Sequence, residues 1–294
     1  MSFPAPPTPS FGHDHVATTS QHLRYEDITQ DGRMIPIAMP AQMGGLWEAV
    51  LIRHPGARNA MMRGIIPILT RITASTLDQP IRVDRHVEAT TGFELARDDG
   101  PGEPTRLFLN VWCELAGIAG RMVPPGPDGP RAVAGHLFAE HTFTRPFAPA
   151  DQRRVTRLDV EGYPAVPSAR HPSQDPATAG DAPAGATWRG ELTVDPTPIV
   201  FTLDQTDSNQ HVNSLVYVRV FLDAAQRLLA ATGAPLRLRS RAVDIAYRKP
   251  CFAGDQVRAH VRLFEGPDGP GAAGFLATPG DAKPRAYVRV QFGS

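Results

Sequence analysis

Residues 207–233 read DSNQHVNSLVYVRVFLDAAQRLLAATG, and this stretch decides the fold. Val212, Val216, Val220, Ala224 and Leu228 recur every four positions, with Leu215, Leu222, Ala225 and Leu229 beside them. That spacing predicts a helix reaching Thr232, apolar around so much of its circumference that it should be largely enclosed. Gly233 and Pro235 supply the stop. Ahead of the helix stand Asp207, Asn209 and His211, more polar groups than a helix cap requires. The excess marks either a decorated cap or a site.

Strand patterns surround this helix. In PIVFTLDQ, Ile199, Phe201 and Leu203 alternate with Val200, Thr202 and Asp204 just before it, which suggests a strand. After it, alternation runs through Val243, Ile245 and Tyr247, through Val257, Ala259, Val261 and Leu263, and through Ala286, Val288, Val290 and Phe292. Period-two patterning with polar partners predicts an antiparallel sheet with one wet face. One strand, a central helix and three or four further strands describe a sheet wrapped around a helix, an α+β fold.

The first half repeats that order loosely. HLRYEDITQDGRMIPI (22–37) reads as strand and turn, MGGLWEAVLIRH (43–54) as a short helix. IIPILTRITAS, PIRVDRHVEATTGFELA and TRLFLNVWCELAGIAG follow as strands. The tetrapeptide TLDQ occurs at 76–79 and again at 202–205, in different settings, which reads as coincidence. The repeat is one of element order.

Composition bounds the function. Thirty basic residues balance thirty acidic ones, so the chain lacks the field that draws in nucleic acid or anionic lipid. Two distant cysteines, Cys113 and Cys251, without CxxC spacing fit a reducing, cytoplasmic setting better than a disulfide framework or zinc site. No segment has the length and apolarity of a membrane span, and the N-terminus lacks the pattern of a signal peptide. Proline is concentrated at the start and between residues 146 and 196, which predicts a disordered tail over 1–22 and a linker over 146–196. The two halves would then occupy 23–145 and 197–294.

DSNQHVNSLVY, followed some thirty residues later by AYRKPCFAGD, resembles the acyl-ACP thioesterases of the hotdog superfamily. That family carries a D-x-N-x-H-V-N motif at the start of the central helix in the second of two fused hotdog domains. The resemblance therefore implies a double-hotdog fold, with the first domain lining the substrate. It implies catalytic roles for Asp207, Asn209 and His211, and aligns Cys251 with the family's cysteine in YRKPC. Plant members have a glutamate immediately before that cysteine, whereas this chain has Pro250. The implied substrate is an acyl thioester of acyl carrier protein or coenzyme A, with no cofactor and no metal, handled by a monomer or a homodimer.

The chemistry of the residues is compatible with that reading. Thioester hydrolysis needs a polarised carbonyl, an aligned water and a base. The helix's first amides can polarise the carbonyl, Asp207 can act as base or orient water, Asn209 can hold water or substrate, and His211 can donate or shuttle a proton. Cys251 is either a nucleophile paired with His211 or a small buried residue. No GxSxG elbow is present, against a serine hydrolase.

Weaker signals are read as structural. HLFAEH (136–141) matches neither HExxH nor HxxEH and is assigned to surface or turn. His260 is expected to face water, Trp47 and Trp112 to sit in the core, and VPPGPDGPR (123–131) to be a loop too poor in amide donors to cradle phosphate. Arg237, Arg239 and Arg241 form a solvated strand edge, or a docking patch for a carrier protein. Two alternatives to hydrolysis stay open. One is a hotdog dehydratase or hydratase pairing His211 with Glu48, and the other a non-catalytic acyl-binding protein.

Overall fold

In the computed structural model, which describes residues 3, 6, 8–124, 126–233, 236–281 and 283–293, the alternating segments join one continuous sheet. The first half supplies β1 (Val16–His22), β2 (Ile66–Thr76), β3 (His86–Asp98), β4 (Leu107–Ile118) and β5 (Arg131–Thr144). Short β6 (Ala169–His171) follows. The second half supplies β7 (Thr187–Val194), short β8 (Ile199–Val200), β9 (Arg239–Tyr247), β10 (Gln256–Gly266), β11 (Gly269–Ala277) and β12 (Ala286–Gly293). The order across the sheet is β1-β3-β4-β5-β2-β9-β12-β11-β10-β7. With the short β6 and β8 left out, and counted from its own first strand, each half has the order 1-3-4-5-2. The halves meet where β2 and β9 pair antiparallel, Ile72 opposite Ile245.

Each half lays a helical segment on one face of its sheet. In the second half this is α3 (Ser214–Ala231), whose Asn213 cap accepts the Leu215 N–H at 3.0 Å. It ends at Thr232, and Gly233 takes φ +70°; the second expected stop signal, Pro235, lies outside the described residues. Tyr217, Val218, Phe221, Ala224, Ala225 and Leu229 are buried, while Arg219, Asp223, Gln226 and Arg227 are exposed. The helix is thus enclosed on one side only, an amphipathic helix rather than the largely enclosed one its sequence predicts. The first half has a fractured counterpart. Pro36 and Pro40 hold Pro36–Met43 in 3-10 geometry, α1 (Gly44–Leu46) runs into a π-helical turn at Trp47–Leu51, and α2 (Pro55–Met62) restarts at another proline. Gly45 lets α1 approach β1 closely, since a Cβ there would lie 2.2 Å from Thr19 Cγ2.

Several expectations are corrected. The segment assigned to a disordered tail contains β1, paired along its whole length with β3, and Phe3 is buried. The proline-rich segment 146–196 is not a bare linker: Val155, Leu158, Val160 and Tyr163 join the core, β6 pairs β3, and β7 is the first strand of the second sheet half. Scattered apolar residues among prolines thus bury more than composition suggested. PIVFTLDQ contributes only the two residues of β8 before a 3-10 turn at Leu203–Gln205. HLFAEH lies within β5, not at a surface turn, and alternation sends its neighbours to opposite faces. Trp112 stacks on His136 on the outer face and is half-buried, and Trp47 packs edge-on to His141 at the core margin.

The outer face at the seam is charged and buried. Asp244 on β9, with no exposed surface, accepts from Arg71 Nε at 2.8 Å, Arg71 Nη2 at 2.5 Å, Thr73 Oγ1 at 3.0 Å and Arg289 Nη2 at 2.8 Å. The segment preceding β7 covers this cluster: Arg71 Nη1 donates to Thr178 Oγ1 and Arg289 Nη1 to the Asp181 carbonyl, while the Phe3 ring faces the Arg289 guanidinium at 5.3 Å. Farther along, Glu140 accepts from Thr70 and contacts His171 Nε2 at 2.7 Å, pinning β6 to the same face. Among the described residues no helix is long and apolar enough to cross a membrane.

Two predictions follow from burial. Asp244→Ala leaves two guanidinia without their carboxylate and is expected to cost about 3–5 kcal/mol in denaturant unfolding. The buried His141 imidazole, its Nδ1 3.2 Å from the Leu109 carbonyl, is pushed by burial from 6.5 down to about 4. A folded value below the unfolded one means the unfolded chain binds the extra proton. The stabilising contribution is therefore complete above pH 6.5 and lost as pH falls toward about 4. Stability measured across that window is expected to fall less steeply in His141→Gln than in the parent.

Candidate active site

The residues 206–213 form a closed turn ahead of α3. Thr206 and Val212 pair as an isolated antiparallel bridge. Within it the Asp207 N–H donates to the His211 carbonyl at 3.1 Å and the Gln210 N–H to the Asp207 carbonyl at 2.9 Å. Gln210 takes φ +66°, the one non-glycine in the left-handed region among the described residues. The Asn213 N–H reaches back to the Gln205 carbonyl at 2.9 Å, so the turn is fixed before the helix begins.

Side chains tighten it further. The half-buried Asp207 carboxylate accepts the Asn209 N–H through Oδ1 at 2.9 Å and Asn213 Nδ2 through Oδ2 at 3.3 Å. Each oxygen keeps a lone pair. Asn213 is the true helix cap, so Asp207 is free of that duty. The Asn209 carboxamide is exposed and takes no partner among the described residues. His211 is half-buried, its Nδ1 3.4 Å from the Val212 carbonyl. The helix's first amides are largely committed: the Leu215 N–H donates to Asn213 Oδ1 and the Val216 N–H to the Asn213 carbonyl. Ser214 N–H is the first-turn amide without a partner among the described residues.

The YRKPC segment holds this turn from below. The Val212 N–H donates to the Cys251 carbonyl at 2.8 Å, the Tyr217 hydroxyl accepts the Cys251 N–H at 2.7 Å, and the Tyr247 hydroxyl donates to the Ser214 carbonyl at 3.0 Å. These two tyrosines are the residues whose role the sequence reading missed. The available signal was a hydroxyl-bearing ring on the helix's apolar face and another ending the following strand. Cys251 is fully buried, and burial raises its thiol, with Tyr217 and Arg285 pulling only partly the other way. A thiol in that setting is a poor nucleophile. Pro250 is exposed, and its carbonyl accepts from Arg285 Nη1 at 3.4 Å.

Other candidates disperse. Glu48 is exposed on the π-helical turn of the first half, with no contact to His211 among the described interactions. His260 is stacked on Phe275 at 4.3 Å, and burial lowers its basicity, so it is half-covered rather than facing water. Arg239 and Arg241 converge on Asp78 at 2.5 and 2.8 Å, Arg239 being buried, so of that trio Arg237 is the one that is exposed and has no partner among the described residues. No group of three or more metal-ligating side chains occurs among the described residues. Two open cavities of about 280 and 250 Å³ lie on the first half, and neither is lined by residues 207–213.

Whole-chain comparison with solved structures returns the same duplicated plan. An acyl-ACP thioesterase from Bacteroides thetaiotaomicron superposes with TM-score 0.60 at 13% identity, covering 95% of this chain and 98% of that one. The chain has the double-hotdog fold. A provisionally named oleoyl thioesterase from Lactobacillus plantarum gives 0.61 at 14% identity over 97% and 98% of the two chains. A 12:0-ACP thioesterase from Umbellularia californica gives 0.54 at 11% identity over 95% and 97%. No family model matches the sequence, and no curated protein matches it. The architecture is thus shared at low sequence identity, and in this double hotdog the 207–213 turn opens the central helix of the second unit.

The tyrosine clamp is testable. Tyr217→Phe strands the buried Cys251 N–H and is expected to cost about 1–3 kcal/mol. Thiol-reactive probes are expected to leave Cys251 unmodified in the folded chain and to modify it in denaturant; rapid labelling of folded protein would contradict its burial.

Proposed function

We propose that this protein hydrolyses an acyl thioester carried on acyl carrier protein or coenzyme A. The observation that carries the reading is the Asp207 carboxylate, fixed by Asn209 and Asn213 inside a rigid turn rather than spent as a helix cap. The likeness of the whole chain to solved acyl-ACP thioesterases supports it at the level of fold.

In this mechanism the thioester carbonyl lies over the start of α3, where the Ser214 N–H is the available donor. Asp207 takes a proton from water, whose oxygen forms the new bond to the acyl carbon. The Asn209 carboxamide, free at the tip of the turn, positions that water or the substrate. His211 donates to the developing oxyanion and then supplies the proton that leaves with the thiol as the carbon–sulfur bond breaks. The products are a carboxylic acid and a free thiol, with one water consumed. Cys251 takes no covalent part: its backbone carbonyl and N–H hold Val212 and Tyr217 in register. Pro250 supplies no carboxylate, which leaves Asp207 as the motif's own base. Both cysteines are free, which suits the reducing cytoplasm where we place the reaction.

Thiol release from acyl-CoAs and acyl-ACPs of graded chain length tests this. Asp207→Ala is expected to lower kcat by about 100-fold or more, as removal of a positioned base does, with the unfolding midpoint little changed. Wild-type turnover in that variant would refute the assignment. Saturable binding of intact thioester without thiol release would identify a non-catalytic acyl-binding protein instead, and an altered acyl chain on an intact thioester a hydratase.

A further inference from the structure

The turn ahead of α3 has a structural twin in the first half. There a 3-10 turn at Tyr25–Asp27 precedes the isolated bridge between Ile28 and Met34, as Leu203–Gln205 precedes the bridge between Thr206 and Val212. The Thr29 N–H donates to the Arg33 carbonyl at 2.8 Å and the Gly32 N–H to the Thr29 carbonyl at 2.9 Å, matching the bonds of Asp207 and Gln210. The Ile35 N–H returns to the Asp27 carbonyl at 3.1 Å, as Asn213 returns to Gln205. Gly32 occupies the left-handed position, φ +86°, held by Gln210 in the other half. Bond for bond, Thr29 stands for Asp207, Asp31 for Asn209 and Arg33 for His211.

The side chains of the twin are spent on themselves. Asp31 accepts from Thr29 Oγ1 and from Arg33 Nη1 at 2.8 Å, and Arg33 Nε reaches the Asp78 carbonyl at 3.0 Å. Burial pushes the Asp31 carboxyl up, but Thr29 and Arg33 outweigh it and hold it low. A carboxylate so committed is a poor base, and no imidazole is present. What the twin has instead is space. The cavity of about 250 Å³ opens on this turn, walled by Ile28, Ile81, Val83, Met122 and Val123. The Ile81 N–H donates to the Gly32 carbonyl at 2.9 Å and fixes that wall to the turn. One charged side chain lines the cavity, Arg121, whose guanidinium has no partner among the described residues and whose stem passes beside Gly32. No carboxylate lines it.

We propose that this cavity is a second, non-catalytic site for an alkyl carboxylate, with the chain against the Ile28, Ile81, Val83 and Met122 wall and the head group on Arg121. The first half keeps the turn's backbone, has no counterpart of the Asp207, Asn209 and His211 side chains, and holds at an apolar hollow one cation without a partner among the described residues. An apolar wall with one guanidinium selects an amphipathic anion over a cation of equal length and over a short anion without a chain. The proposal goes beyond the hydrolytic reading and does not depend on it.

Methyl-resolved NMR of the full chain titrated with octanoate tests it, with acetate and octyltrimethylammonium as probes lacking the chain and reversing the charge. Saturable shifts at the Ile28, Ile81 and Met122 methyls with octanoate alone are expected, weakened about tenfold or more in Arg121→Gln. Unmoved methyls at those three positions, equal affinity for octyltrimethylammonium, or undiminished affinity in Arg121→Gln would each overturn the proposal. Val212 and Val216 methyls report the candidate active site separately, so octanoate shifts confined to them also count against it. The readout is the same whether or not the chain hydrolyses thioesters, which keeps the two tests apart.

Discussion

A single buried carboxylate ties the two halves together. Asp244 sits on β9 beside the seam with β2, and its carboxylate accepts four hydrogen bonds, three from β2 and one from β9's other neighbour β12. Two guanidinia around one carboxylate leave a net positive charge in a buried place, which the Phe3 ring and the carbonyl and hydroxyl of the covering segment offset. Burial of such charges is favourable only when the geometry is nearly complete. The same cluster therefore dictates that the segment before β7 cross the outer face, and that crossing delivers β7 to the far edge of the second half. The inner face at the seam is apolar by contrast, Ile72 against Ile245, so the sheet is stitched by charge on one side and by packing on the other.

Duplication is clearest where sequence similarity is least. Both halves share strand order and the turn ahead of the helical segment, yet their helices differ in kind. The second half begins its helix with Asn213 and continues without interruption for eighteen residues. The first half places Pro36 at the corresponding start, then Pro40, Gly44, Gly45 and Pro55, and so divides the same span into 3-10, α and π pieces. A continuous helix presents a fixed first turn with an amide to offer, whereas a proline start removes one amide and tightens the others. That difference, together with Thr29, Asp31 and Arg33 in place of Asp207, Asn209 and His211, sets the two turns apart in chemistry although their backbone bonds match.

How far the sequence could be read depended on how local each cause was. The α3 helix, β9, β10 and β12 announce themselves because each keeps the period of its element, with apolar residues on one face and polar or charged ones interleaved on the other. β5 escaped notice because both its faces are covered, His141 turned inward and Glu140 outward beneath β6, and a strand buried on both sides loses its alternation. β7 was lost for a different reason: it is an almost wholly exposed edge strand in which Gly190 breaks the alternation of Trp188, Leu192 and Val194. The tail and linker assignments rested on proline content, which speaks to local conformation and not to whether Phe3, Val155, Leu158 or Tyr163 finds a core elsewhere. At the site, the motif located the turn, but the clamp made by Tyr217, Tyr247 and Cys251 required knowing which strand end lies beneath the helix.

That clamp also changes what the cysteine means. In the linear sequence Cys251 stands open between a nucleophile paired with His211 and a small buried residue. In the fold its backbone does the work: the carbonyl receives Val212, the amide meets Tyr217, and the thiol fills a space with no exposed surface. A small side chain is required there because a bulkier one would push the strand end away from the turn that it positions. The spacing between DSNQHVN and YRKPC is then a constraint of assembly. It measures the length of α3 plus the run of β9 needed to bring the strand end back under the helix start, and the placement of the Asp207 turn depends on that return.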